Sequence, residues 1–150
     1  MFSIEFTDEP LEYPYDDTNV PGAPGRLVFE DSTEEFLSNL SPWDKSDYES
    51  HWRRELKKLL EGNAKVALIV SYYGKTASNM EIWRAYRDRE LVHFQNQILW
   101  YSTLPPTFEV SKLSQYIQDR AVATAEGNQI SEWDVPLHDI EAFLKQSGAT

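Results

Sequence analysis

Three strand-like segments joined by short links constrain the fold of this chain most. Residues 65–73 are rich in Val and Ile, residues 79–88 are rich in aromatic and aliphatic side chains, and residues 91–101 alternate apolar and polar side chains. Only residues 74–78 and 88–90 separate one segment from the next. Because a parallel crossover needs a dozen or more residues, neighbouring segments must run antiparallel. The sequence therefore predicts a meander of three long strands. The apolar residues of the third strand share one face: Val92, Phe94, Ile98 and Trp100.

Helical patterns lie on both sides of this meander. Ser46 and Glu49 have the spacing of a capping box, and they open a predicted helix whose apolar stripe runs to Leu60. Gly62 suits the left-handed position that ends such a helix. A second helix is predicted from Thr107 or Glu109 onward, with Val110, Leu113 and Ile117 on its buried side. A third helix is predicted from Pro136 onward, because proline fits the first turn of a helix.

The remaining segments predict shorter elements. Phe2, Ile4 and Phe6 alternate with polar residues, which indicates a short edge strand. Prolines and glycines between residues 10 and 25 are dense enough to stop both helices and strands, so residues 1–25 are predicted to form an extended acidic N-terminal arm. Further along the chain we expect a strand over 26–29, a short helical turn over 32–39 and a strand over 129–135.

These elements together predict one α+β domain spanning residues 1–150. Its sheet is expected to be curved and largely antiparallel, built from the three-strand meander plus flanking strands. About three helices are expected to pack on that sheet.

The net charge of the chain is confined to its first third. Residues 1–49 contain 13 acidic and two basic residues, whereas residues 50–150 contain 12 of each. A field of one sign attracts an oppositely charged partner and accelerates its encounter. The same field repels phosphate, so we expect no binding to nucleic acid. Single-strand binding by an aromatic sheet is the alternative, but such sheets also carry an excess of basic residues.

Several classes of protein are disfavoured by composition. The sequence has no cysteine, which excludes disulfides and thiolate chemistry. Its first residues lack the basic and apolar regions of a signal peptide, and its longest apolar stretch, residues 66–73, is too short to span a bilayer. We therefore expect a cytoplasmic protein with no membrane partner.

No constellation of residues predicts catalysis. None of the three histidines, His51, His93 and His138, has a metal ligand at a diagnostic spacing, so each is interpreted as a surface or hydrogen-bonded histidine. Phosphate-binding glycine loops and a nucleophile elbow are missing from the sequence. The 25 acidic residues are too many for any single pair to be informative. We expect a protein without catalytic residues, cofactor or metal.

Four segments carry a resemblance to a known family. Residues 40–52 (LSPWDKSDYESHW), 67–73 (ALIVSYY), 92–98 (VHFQNQI) and 129–134 (QISEWD) occur in the same order in immunity proteins of contact-dependent growth inhibition systems. The chain resembles these CdiI-type proteins over about residues 40–145, and its first third matches poorly.

The resemblance implies a bacterial cytoplasmic protein that binds and neutralises the C-terminal domain of a CdiA-type toxin. It implies the branch whose toxin is a nuclease acting on small-subunit ribosomal RNA. It also implies a curved antiparallel sheet with helices, similar to single-strand-binding folds. An acidic inhibitor suits such a toxin, since a ribonuclease cleft is basic, and we expect a one-to-one complex that covers this cleft.

The acidic first third predicts the contact residues. We expect acidic side chains to meet the toxin, with two tyrosines as anchors: Glu12, Asp16, Asp17, Glu30, Asp31, Glu34 and Glu35, with Tyr13 and Tyr15. A solvated acidic face is the alternative interpretation of the same charges. A protein-interaction or adaptor module without a toxin partner is the alternative function.

Overall fold

In the part of the chain that the structure describes, two antiparallel sheets and two α-helices form the fold. The computed structural model describes residues 1–8 and 22–147. One sheet has the order β1-β2-β3 and the other has the order β4-β5-β6-β7. The strands are β1 (Ser3–Phe6), β2 (Gly22–Val28), β3 (Thr33–Asn39), β4 (Lys65–Ser71), β5 (Asn79–Asp88), β6 (Leu91–Trp100) and β7 (Trp133–Pro136). The helices are α1 (Lys45–Leu60) and α2 (Leu137–Ser147), and short 3-10 helices span Tyr101–Thr103 and Val110–Gln115.

The predicted α+β class and the meander are confirmed. β4 pairs with β5 and β5 pairs with β6, both antiparallel, and the strand bounds agree with the sequence to within two residues. Strand β6 also pairs with β7, which makes this sheet four-stranded. The flanking N-terminal strands form a sheet of their own rather than extending the meander.

Two predictions for the N-terminal third are wrong. Residues 33–39 form strand β3 instead of a helical turn, because Phe36 and Ser38 are buried with a period of two and the segment pairs along β2. The dense prolines and glycines do not stop β2, which contains Pro24. The carbonyl of Pro24 faces β1 and accepts from the Thr7 N–H at 3.0 Å. The missing N–H of Pro24 therefore lies on the side where β1 ends, so no ladder bond between β2 and β3 is lost.

Helix α1 begins two residues earlier than its predicted capping box. Asp44 is the N-cap: its side chain accepts from the Asp47 N–H at 2.8 Å, and the Asp47 side chain accepts from the Asp44 N–H at 3.0 Å. The prediction from Ser46 and Glu49 was wrong because aspartate caps a helix as well as serine does. The predicted end is confirmed, since Gly62 has a φ of 106°. The Asn63 N–H bonds to the Lys58 carbonyl at 3.0 Å, which completes a Schellman motif.

The later elements are shorter or tighter than predicted. The second helix is a 3-10 helix over Val110–Gln115, although Leu113 and Ile117 are buried as expected. The strand predicted over 129–135 is reduced to β7, and Gln129 forms an isolated bridge with Ala123. Among the residues that the structure describes, no helix combines the length and the apolar character needed to cross a membrane.

The two sheets meet where β3 lies beside β4. The Tyr48 hydroxyl of α1 donates to the Asn39 carbonyl at 2.6 Å and accepts from the Tyr72 N–H at 2.9 Å. The Ser38 hydroxyl donates to the Val70 carbonyl. Side chains, rather than a backbone ladder, therefore join the sheets, and this leaves room for a groove at the junction.

Helix α1 and the second 3-10 helix cover the outer edge of β4. The Ile69 N–H donates to His51 Nε2 at 2.8 Å, and the Ile69 carbonyl accepts from Trp52 Nε1 at 2.7 Å. The Ala67 N–H donates to the Ser114 hydroxyl at 2.8 Å. These bonds satisfy backbone groups that would otherwise offer an open edge to another chain.

Gly25 is expected to be intolerant of a side chain. A Cβ added there would lie 2.3 Å from the Phe36 ring, which is buried and packs at 5.6 Å from the Trp52 ring. We expect Gly25→Ala to lower the free energy of unfolding by about 1–2 kcal/mol, because an overpacked core must shift. Urea denaturation would measure this loss. Gly22→Ala on the same strand meets only the flexible end of Leu37, at 3.1 Å, and should cost less. Equal losses in the two variants would contradict the overpacking argument.

Candidate partner-binding groove

An open groove lies at the junction of the two sheets. Its volume is about 300 Å³, and strands β3 to β6 contribute its walls. Its floor is apolar and buried, with Phe36, Val70, Ile82 and Trp83. Its polar wall residues are Glu34, Glu35, Glu81, Asn96 and Gln97, and Ile98 lies at its edge. Among residues 1–8 and 22–147, no basic residue lines this groove, so the described part of it offers negative charge over an apolar floor.

Glu34 and Glu35 on β3 are among the residues that line the groove. Glu34 lies opposite Leu27 and shares a strand face with buried Phe36, whereas Glu35 lies opposite Arg26. Burial raises the pKa of the Glu34 carboxyl above its ordinary value. A cation placed beside this carboxyl would lower its pKa again, because an opposite charge favours the ionised form.

Strands β5 and β6 add a third carboxylate and an apolar strip. Glu81 on β5 accepts a hydrogen bond from the Tyr73 hydroxyl and pairs in register with Ile98. Ile98 and Trp100 follow each other on one face of β6 and are 54% and 51% exposed. Exposed apolar side chains beside an acidic groove are typical of a protein–protein interface, whose core is aromatic and whose rim is polar.

Comparison with known proteins identifies the family. A sequence model described as the CdiI N-terminal domain matches residues 38–143. This chain belongs to the CdiI N-terminal domain family. The match confirms the resemblance to CdiI-type immunity proteins and nearly coincides with the predicted extent of that resemblance.

A solved structure supports the same assignment for this CdiI-family chain. The chain is similar, over 100% of both chains, to a chain of the CdiA-CT/CdiI toxin and immunity complex from Enterobacter cloacae. The two are 26% identical in sequence, and their TM-score is 0.86. No curated protein matches the chain.

The CdiI-family match includes only one side of the groove. Glu81 and Ile98 lie within residues 38–143, whereas Glu34 and Glu35 precede this range. One side of the groove of this CdiI-family chain therefore lies within the matched residues 38–143, and the other side comes from the N-terminal third.

The structure brings some predicted contact residues to the groove and places others elsewhere. Glu34 and Glu35 line it. Glu30 instead accepts from the N-terminal ammonium group of Met1 at 2.7 Å, and the same group also donates to Asp139 at 2.9 Å. These two hydrogen bonds raise the pKa of the ammonium group. Asp31 follows in the exposed turn between β2 and β3. The other predicted contacts lie outside the described residues: Glu12, Tyr13, Tyr15, Asp16 and Asp17.

Part of the acidic charge of the first third has a local structural role. Asp44 and Asp47 cap helix α1. Glu5 lies 3.7 Å from the Arg26 guanidinium group and accepts from the Ser3 hydroxyl at 3.0 Å. Asp44, Asp47 and Glu5 therefore take part in local contacts, whereas Glu34 and Glu35 are among the residues that line the groove.

Sequence reasoning missed Glu81, Ile98 and Trp100. The alternation along β6 assigned Ile98 and Trp100 to the same face as Val92 and Phe94, and a common face suggests common burial. Phe94 is covered by the N-terminal strands, with the Phe2 ring at 5.1 Å and the Phe29 ring at 5.6 Å. Ile98 and Trp100, further along β6, remain exposed. The sequence did contain one signal: Ile98 and Trp100 are large and apolar, yet no other predicted element was expected to cover them.

A second polar cluster lies at the opposite end of β6. His93 Nδ1 is 2.6 Å from Asp134 Oδ1 and 3.6 Å from Glu132 Oε1. The Arg120 guanidinium group donates to both oxygens of Glu132, at 2.6 and 2.8 Å, and lowers the pKa of that carboxyl. Sequence reasoning missed this cluster because its members are separated by about 40 residues along the chain and have no diagnostic spacing.

Proposed function

We propose that this chain is an immunity protein that binds and neutralises the C-terminal domain of a CdiA-type toxin. The observation that carries the proposal is the full-length similarity to a chain of a CdiA-CT/CdiI toxin and immunity complex. Because this chain belongs to the CdiI family, its counterpart in that complex is the immunity partner rather than the toxin. The proposed site of action is the cytoplasm, where an incoming toxin would meet its substrate.

The acidic groove is the proposed docking surface. Its three carboxylates, on Glu34, Glu35 and Glu81, would meet cationic side chains of the toxin, and the exposed strip of Ile98 and Trp100 would pack on an apolar surface beside them. Such an arrangement fits a basic nuclease, because a cleft that holds an RNA backbone presents lysine and arginine side chains. We propose a ribosomal-RNA nuclease, bound one-to-one with its active cleft covered.

Co-expression with the cognate CdiA-type toxin domain tests this proposal. We expect the two chains to co-purify as a complex of equal stoichiometry and the complex to lack nuclease activity on ribosomal RNA. If the toxin domain and this chain elute separately, the immunity function is wrong and the adaptor function replaces it. If they form a complex that still cuts RNA, the chain binds the toxin without covering its cleft.

Reversing charge in the groove is expected to slow association. Glu34→Lys combined with Glu35→Lys should reduce the association rate with the toxin domain by about tenfold at low salt, because rim charges act mainly on encounter. Stopped-flow mixing at two ionic strengths would measure the rate. Glu61→Lys with Glu126→Lys is the matched control, since both residues are exposed and the net charge changes equally. If the two double variants slow association equally, the net charge of the chain and not the groove steers the toxin.

A further inference from the structure

Three side chains from two paired strands and the preceding loop converge on one point of the second sheet. One ligand atom each from His93, Glu132 and Asp134 lies within 4.8 Å of the other two. We propose that this cluster is a binding site for a divalent transition-metal ion, for which Zn²⁺ is the probe. Imidazole nitrogen and carboxylate oxygen bind Zn²⁺ at about 2.0–2.2 Å, so three ligands around one ion stand roughly 3–3.5 Å apart.

The strand register holds these ligands in place. His93 on β6 lies directly opposite Asp134 on β7, and the side chains of opposed residues share a face of the sheet. Glu132 immediately precedes β7, two residues from Asp134, and its carboxylate reaches the same imidazole nitrogen. The Arg120 guanidinium group and the Gln95 amide, which donates at 2.8 Å, hold the Glu132 carboxylate in this position. Ligands on paired strands with such support lose little freedom when an ion binds.

The second ring nitrogen of His93 supplies an independent observation. His93 is only 6% exposed, and its buried Nε2 atom has no hydrogen-bond partner in the described part of the chain. The carboxylate of Asp88 lies 3.9 Å from this nitrogen. A metal ion on Nδ1 would place the ring proton on Nε2, facing that carboxylate. The second ring nitrogen of a metal-bound histidine usually donates to a carboxylate, a backbone carbonyl or water, and a carboxylate there raises the basicity of the ring.

The cluster is also accessible and suited in charge. Asp134 is half exposed, and Glu132 and Asp134 line an open cavity of about 560 Å³, so an ion and its water ligands can reach these two carboxylates. His93 lines a separate cavity of about 270 Å³ together with Asp88 and Arg120. Carboxylates of Asp88, Glu132 and Asp134 lie within 4 Å of the imidazole nitrogens. The three nearby carboxylates favour a divalent cation at this point.

The proposed metal site is separate from the groove. His93 and Ile98 are five residues apart on β6, a distance of about 17 Å along an extended strand. The metal-binding proposal can therefore be correct or wrong independently of the toxin-binding proposal. Metal binding can be measured without the toxin.

Isothermal titration of untagged protein with ZnCl₂ at pH 7.5 tests the proposal. We expect one ion per chain in the wild type and a loss of affinity of at least about tenfold in Asp134→Asn, because a ligating charge is removed. Asp134 is half exposed, so this variant should fold, and His93→Gln is a second variant with the same expected loss. The control is His138→Gln, which removes an exposed histidine that also lies near a carboxylate, 3.2 Å from Asp139.

Thermal unfolding with and without Zn²⁺ provides a second measurement. An ion that binds only the folded state raises the melting temperature. The rise should occur in the wild type and in His138→Gln and be lost in Asp134→Asn and His93→Gln. The proposal is overturned if the wild type shows no saturable binding, if Asp134→Asn binds as tightly as the wild type, or if His138→Gln loses the ion.

Discussion

Trp100→Ala is expected to weaken binding of the toxin domain by at least about 2 kcal/mol, or ~30-fold in Kd. Trp100 is half exposed next to the acidic groove, where it leaves a large aromatic surface in contact with water. A tryptophan that becomes buried at the centre of an interface is among the most effective anchors in protein complexes. The loss should appear mainly as faster dissociation, since an apolar contact forms after encounter, and surface plasmon resonance would resolve both rates.

The exposed residue Val122 is the matched control for this anchor. It is 59% exposed, in the segment between the 3-10 helix and β7, and it does not line the groove. Val122→Ala should leave the affinity for the toxin domain within about 0.5 kcal/mol of the wild type. If Trp100→Ala behaves like Val122→Ala, the apolar strip lies outside the interface, and the docking surface must be sought on another face of the protein.

The meander could be predicted from sequence because its signals are local. Each strand from β4 to β6 carries enough β-branched and aromatic residues to be recognised alone, and the short links leave only antiparallel pairing. The end of α1 was predictable for the same reason, since the Schellman motif depends on one glycine and its neighbours. In both cases the residues that decide the structure are adjacent in the chain.

Strand β3 and the division into two sheets depend on distant partners. Residues 33–39 contain Phe36 and Leu37 side by side, which is compatible with one turn of a helix or with a strand. Pairing with β2 decides for the strand, and Pro24 fits within β2 only because β1 ends beside it. Neither the pairing of β3 with β2 nor the end of β1 beside Pro24 can be deduced from residues 33–39 alone.

Only one side of the candidate groove could be predicted from sequence, for a similar reason. The charge asymmetry pointed to Glu34 and Glu35, which indeed lie at the groove. Glu81 comes from the electrically balanced remainder of the chain, so composition gave no reason to select it. It reaches Glu34 and Glu35 because the Ser38 and Tyr48 side chains hold β3 against β4. The cluster around His93 is likewise a product of strand register.

His51 is the buried histidine on which the pH dependence of stability should depend. It is 3% exposed, and its Nε2 atom accepts a hydrogen bond from the Ile69 N–H at 2.8 Å. The proton of the neutral ring must then reside on Nδ1, so the Arg54 guanidinium group, 3.3 Å away, is a neighbouring donor rather than a bonded partner. A second proton on Nε2 would face the amide hydrogen of Ile69 and break this bond at the edge of β4.

Burial is the main reason that the pKa of His51 is lowered to about 3. The carboxylate of Glu55 opposes this shift, and the charges of Arg54 and Lys58 add to it. In the unfolded chain the same group titrates near its ordinary pKa of 6.5. Above that pH neither state is protonated at His51, and the stability is complete. Below it only the unfolded state gains a proton, so stability falls as pH decreases from about 6.5 to about 3.

We therefore expect the free energy of unfolding to fall by about 2 kcal/mol between pH 7.5 and pH 5, at ~1.4 kcal/mol per pH unit below 6.5, and by roughly 4–5 kcal/mol over the whole window. Urea denaturation at half-unit pH steps would measure it. His51→Gln keeps an oxygen that can accept from the Ile69 N–H but cannot titrate, so its stability should be nearly flat from pH 7.5 to pH 5, whatever its value at pH 7.5. The pKa values of Glu55 and Glu132 lie below their ordinary value of 4.5, and their contributions are lost only at lower pH. His138→Gln, at an exposed position, should retain the slope of the wild type.

If His51→Gln keeps the wild-type slope of stability against pH, another group carries the pH dependence. In that case His51 accepts its proton inside the folded protein.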